Sequence, residues 1–81
     1  MAEILRGLLS GNGIRNASIA GEIAPDPMDA SNVLGRFEWR GRSIDEGERF
    51  TLALQDGRVY DIEVERVTGG SPHVVWFRSC G

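Results

Sequence analysis

Nucleophilic catalysis needs a nucleophile, a base within reach and a group that orients the base. The chain supplies one histidine, His73, and one cysteine, Cys80. Seven positions apart on a regular strand, two side chains point to opposite faces, so no local Cys–His dyad forms without a bulge. His73 then faces solvent and Cys80 is an inert terminal thiol. Zinc fares no better, with one His, one Cys and no paired ligand spacing.

Asp61, Glu63 and Glu65 form an alternating carboxylate row. Same-face neighbours on a strand stand roughly 6.6–6.8 Å apart at Cα. Two oxygens sharing one Mg²⁺ or Ca²⁺ must approach within about 4–5 Å of each other, which parallel side chains meet poorly. The row therefore reads as a solvated face that resists edge-to-edge aggregation. Gly7, Gly11 and Gly13 make no phosphate loop, because no strand is expected before them and no Gly-Lys-Ser/Thr follows. These residues nominate no catalytic set, no metal and no cofactor, and the expectation is a protein that is not an enzyme.

Two features point to binding. Arg36, Arg40 and Arg42 cluster around Trp39, with Arg15 on a neighbouring strand. Such a face holds an anion or an acidic partner, unless the arginines pair with Glu38, Asp45, Glu46 and Glu48. The second feature is Trp76-Phe77, flanked by Val74 and Val75. Adjacent strand residues face opposite ways, so one aromatic leaves the core and must be covered. The economical cover is an N-terminal helix presenting Leu5, Leu8 and Leu9; a partner surface or a second copy of the chain is the alternative.

The elements that position these residues come from periodicity. Ile4, Leu5, Leu8 and Leu9 fall on one helical stripe, which predicts a short helix over 2–10 stopped by Gly11-Asn12-Gly13. Nine residues hold no helix unaided, so it must dock. Ile14 to Ile23 fits a strand. Ala24 to Asn32 carries two prolines and several turn formers and reads as a loop, in which Asp26-Pro27 opens one helical turn. A strand follows at about 33–40, with Val33, Phe37 and Trp39 on one face and Arg36, Glu38 and Arg40 on the other.

The clearest signal is a hairpin over 49–67. Phe50, Leu52 and Leu54 alternate with polar neighbours, as do Tyr60, Ile62 and Val64. A two-residue Asp56-Gly57 loop would set Leu52 against Asp61. The three-residue loop Gln55-Asp56-Gly57 instead pairs Leu52 with Tyr60, Phe50 with Ile62 and Arg49 with Glu63, keeping the apolar face together. Gly57 then takes positive φ. The apolar phase slips between Val64 and Val67, which predicts a bulge near Glu65-Arg66. Thr68 to Pro72 is a turn, and His73 to Ser79 the last strand. The sum is a single domain over 1–81, mainly β: a small antiparallel β-barrel or roll, SH3-like or Sm-like, of about five strands over 14–79 with the short N-terminal helix.

Composition agrees. The chain has 81 residues, 41% apolar and 26% charged, too hydrophobic for a disordered tail. Surface scaling leaves about 4,800 Å² exposed of about 12,900 Å², a modest core without room for a large enclosed cavity. All nine basic residues are arginine, the usage of a GC-rich genome. The net charge of −3 speaks against general nucleic-acid binding, which needs a positive field. Met-Ala-Glu-Ile-Leu-Arg is neither a signal peptide nor a membrane span, and a lone cysteine fits a reducing compartment, so the expected location is cytoplasmic with no membrane contact.

Asn16-x-Ser18-x-x-Gly21 resembles the second half of the signature of PilZ domains, and the runs Gly47–Leu54 and Val64–Phe77 look like barrel strands of that family. The resemblance implies a six-stranded barrel binding cyclic di-GMP, with Asn16, Ser18 and Gly21 at the ligand and Arg15 and Arg6 nearby. The family's two upstream arginines four apart have no counterpart here, and Gly47 follows Gly21 by 26 positions. The leading expectation is therefore a non-catalytic module that binds a protein, or another copy of itself, through Arg36, Trp39, Arg40, Arg42, Trp76 and Phe77. The cyclic-dinucleotide sensor is its alternative, and an Sm-like nucleic-acid binder a minor third.

Overall fold

A computed structural model describes residues 2–80. Six strands, β1 (Glu3–Gly11), β2 (Ile14–Asp26), β3 (Asp29–Trp39), β4 (Arg49–Leu54), β5 (Val59–Thr68) and β6 (His73–Ser79), close into a barrel in the order β1-β2-β3-β6-β5-β4. Every neighbouring pair is antiparallel. The expected antiparallel barrel is found, with six strands rather than about five. Among the described residues no helix is long and apolar enough to cross a membrane.

The N-terminal helix is not there. Residues 3–11 form β1, which closes the wall between β2 and β4. Leu5, Gly7 and Leu9 point inward, and Ile4 and Leu8 point out. The inward position between the two leucines is glycine because a Cβ at Gly7 would lie 2.5 Å from the Ala53 carbonyl oxygen. That glycine breaks the apolar alternation of a strand, while outward Ile4 and Leu8 complete a false helical stripe.

The loop expected over 24–32 is also strand. β2 and β3 run on to Asp26 and Asp29 and turn through Pro27-Met28. Buried Asp26 caps the turn, its Oδ1 accepting the Met28 N–H at 2.8 Å. No helical turn opens at Asp26-Pro27; the Asp closes a hairpin instead. Asp29 does similar work on the return side, accepting from the Ser31 N–H and hydroxyl at 3.1 and 2.7 Å. The Ser31 hydroxyl holds the Asp29 carboxyl below its ordinary value.

The 49–67 hairpin has the register read from its sequence: Leu52 faces Tyr60, Phe50 faces Ile62 and Arg49 faces Glu63. Gly57 sits at φ +97°, and the ladder slips between Val64 and Arg66 on the β6 side. Inside the barrel, Phe37 meets Phe77 at 5.9 Å and the edge of Trp39 at 6.3 Å between ring centroids. Leu5, Leu9, Leu52, Ile62, Val64 and Val75 fill the rest. Each such aliphatic group contributes about 1.5–3 kcal/mol by burial.

Candidate functional site

With the interior packed, chemistry on this protein lies on the outer wall and at the strand ends. One outward row crosses five strands: Ile4 pairs with Glu22, Glu22 with Arg36, Arg36 with Trp76, and Trp76 with Arg66. The Arg36 and Arg66 guanidinium carbons stand 5.3 and 4.8 Å from the Trp76 ring centroid. Phe77 is buried and Trp76 is the aromatic that leaves the core. Its cover is this pair of arginines; Leu5 and Leu9 lie in the core instead.

Charge around the row is mostly neutralised. Arg36 Nη2 reaches Glu22 at 3.1 Å, and Arg78 reaches Glu65 at 3.4 Å and Asp26 at 3.8 Å. Arg66 has no carboxylate in ion-pair range among the described residues. The Trp76 indole N–H is buried without an acceptor, the one side-chain N or O so placed among the described residues. Ile23, Ala24, Leu34 and Gly35 line a shallow depression of about 150 Å³ beside the ring and Arg36.

The other arginine-rich residues divide. Trp39 points inward, 8% exposed, and its indole N–H donates to the Arg42 carbonyl at 2.7 Å. Arg42 ties the connection between β3 and β4 to the first hairpin, reaching the Asn12 carbonyl at 2.9 Å and Glu48 Oε1 at 3.0 Å. Glu48 Oε2 accepts the Asp45 N–H at 2.6 Å. The Arg42 guanidinium foremost, then that N–H, holds the Glu48 carboxyl below its ordinary value. Buried Ile44 plugs the same end. Arg36 is thus at the Trp76 row, Arg42 is a brace, and Trp39 is core.

Arg40 flanks a groove where β2 and β3 separate beyond Gly21 and Phe37, lined also by Ser18, Ala20 and Glu38. Arg6 lies on the far side of Ser18, in the depression between β1, β2 and β4. Asn16 takes φ +47° in a bulge opposite Ser10. The Asn16 N–H donates to the Ser10 hydroxyl at 3.2 Å, and that hydroxyl donates to Asn16 Oδ1 at 3.0 Å. Gly21 faces inward, where a Cβ would stand 1.9 Å from the Arg36 carbonyl oxygen. Asn16 and Gly21 are therefore accounted for by the fold; Ser18 and exposed Arg15 are not.

No family model, curated protein or solved structure matches this chain. The residues alone carry its functional reading.

His73 and Cys80 lie at opposite ends of β6. His73 is half-buried rather than solvent-facing, its Nδ1–H donating to the Thr68 carbonyl at 3.2 Å. Cys80 is half-exposed. In the carboxylate row, Glu63 pairs with Arg49 at 3.2 Å, Asp61 accepts the Thr51 hydroxyl at 3.3 Å and Glu65 pairs with Arg78. Among the described residues no three His, Cys, Asp or Glu side chains group as metal ligands would.

Arg66 was not among the sequence-nominated residues. The signal for it was present: a bulge at Glu65 turns the next residue onto the outer face, where β6 presents Trp76.

Proposed function

We propose that this chain is a non-catalytic binding module that docks a protein on the outer wall of its barrel. The observation that carries the reading is Trp76, held on the outer wall between two guanidinium groups rather than buried with Phe77. Trp and Arg are the side chains that dominate protein interfaces. Size-exclusion chromatography with light scattering, together with a pull-down compared between wild type and Trp76→Ala, tests the reading. Partner retention or self-association lost in the variant supports it; a strict monomer that retains nothing ends it.

A second reading is favoured by a separate observation. Ser18 lies between two grooves bordered by Arg6 and Arg40, neither of which has an ion-pair partner among the described residues. On a six-stranded barrel this supports a site for a phosphate-bearing ligand such as cyclic di-GMP. Calorimetry with that dinucleotide decides it, and no heat at high ligand concentration eliminates it.

A further inference from the structure

We propose that the Arg36–Trp76–Arg66 row is the docking point for an acidic-aliphatic peptide segment, in which a carboxylate adjoins a Leu, Ile or Val side chain. The proposal rests on the protein-binding reading and names the partner's chemistry. Three observations converge on it. The buried Trp76 N–H lacks an acceptor, and a buried donor without a partner is rare in native proteins. Arg66, over the same ring, is a cation without a carboxylate, whereas Arg36 and Arg78 beside it are already paired. An incoming carboxylate offsets the charge of Arg66, and it reaches the buried indole N–H by displacing the side chains that now cover that donor.

The third observation sets what stands next to that carboxylate. The depression walled by Ile23, Ala24, Leu34 and Gly35 measures about 150 Å³. A cavity of about that volume holds one benzene-sized apolar group, so one branched aliphatic side chain matches it. A nucleobase fits less well. Guanidinium groups already lie over the ring where a base would stack.

The test is an array of hexapeptides that place Asp or Glu beside Leu, Ile or Val, each with its Asn or Gln counterpart, probed with the full chain. Retained peptides are then titrated by fluorescence anisotropy. The acid-bearing peptides bind, their amide counterparts at least 10-fold more weakly. Trp76→Phe, which keeps an aromatic ring and loses the N–H, and Arg66→Gln each weaken binding at least 10-fold, with thermal midpoints within about 5 °C of wild type. Equal binding of acids and amides, or binding indifferent to both substitutions, overturns the proposal while leaving a protein-binding module in place. If no peptide is retained the proposal also fails, and if the chain is in addition a partnerless monomer, the parent reading fails with it. Capture of a labelled single-stranded oligonucleotide, lost in Trp76→Phe, overturns it in favour of nucleic acid.

Discussion

Gly21 on β2 stands directly opposite Phe37 on β3, and the Phe37 Cα would be 2.7 Å from a Cβ placed on that glycine. This is the last rung of the ladder before the two strands separate. The Arg36 carbonyl oxygen is nearer still. Both obstacles are backbone, which cannot swing aside as a side chain can. Gly21→Ala therefore lowers unfolding stability by about 2–3 kcal/mol through overpacking, measured as a shift in urea midpoint. An alanine that leaves the midpoint in place would show that the close approach is not required.

Asn16 supports a parallel expectation. Its left-handed φ and its two hydrogen bonds with Ser10 shape the β2 bulge. Asn16→Ala costs about 1 kcal/mol of stability, because alanine enters that region with strain. Asn16→Gly stays within about 0.5 kcal/mol, since glycine enters it freely. A reversed order in thermal midpoints would assign Asn16 a role other than turning the strand.

The hairpin from Arg49 to Val64 was legible because nothing interrupts its alternation, and one wrong register would have buried Asp61. β1 was illegible for a local reason: Gly7 occupies an inward position that packing forbids to any side chain. The tip of the β2–β3 hairpin was hidden differently. Asp26, Pro27, Asp29 and Ser31 are turn formers, and here they brace a long hairpin through Asx-type hydrogen bonds rather than dissolve it into a loop. Of the site, the outward turn of one aromatic followed from adjacency in sequence. Its cover did not, because Arg36 and Arg66 reach Trp76 only through the pairing of β3 and β5 with β6, and the second contact depends on the bulge.

Trp76 separates binding from stability. Trp76→Phe removes a buried donor without an acceptor, a group whose burial costs about 1–3 kcal/mol. It also trims the stacking under two arginines, each contact worth about 0.5–1 kcal/mol at an exposed site. The two effects oppose, so the variant unfolds within about 1 kcal/mol of wild type. Calorimetry that finds a loss of several kcal/mol would make Trp76 a structural residue and remove the motive for a partner.

Glu48 governs acid sensitivity. Its carboxyl accepts from the Arg42 guanidinium and the Asp45 N–H, and both contacts lower its pKa below the ordinary 4.5. A carboxyl with a lower pKa folded than unfolded adds stability above the unfolded value and loses it as pH falls through the folded one. Asp29 and Asp56 are lowered as well, by the Ser31 hydroxyl and the Arg58 guanidinium, but both are exposed at turns. Glu48 is only 22% exposed and joins the loop that carries Ile44 to the first hairpin. Glu48→Gln is therefore less stable at neutral pH by about 1–2 kcal/mol, the scale of a charge-assisted hydrogen bond. As pH falls from above 4.5 through the lowered folded value, wild type loses stability more steeply than the variant, and the two curves converge. Urea titrations across that range check the sign. Parallel curves would mean that Glu48 titrates alike in the folded and unfolded chain, and that the Arg42 brace holds no proton-linked stability.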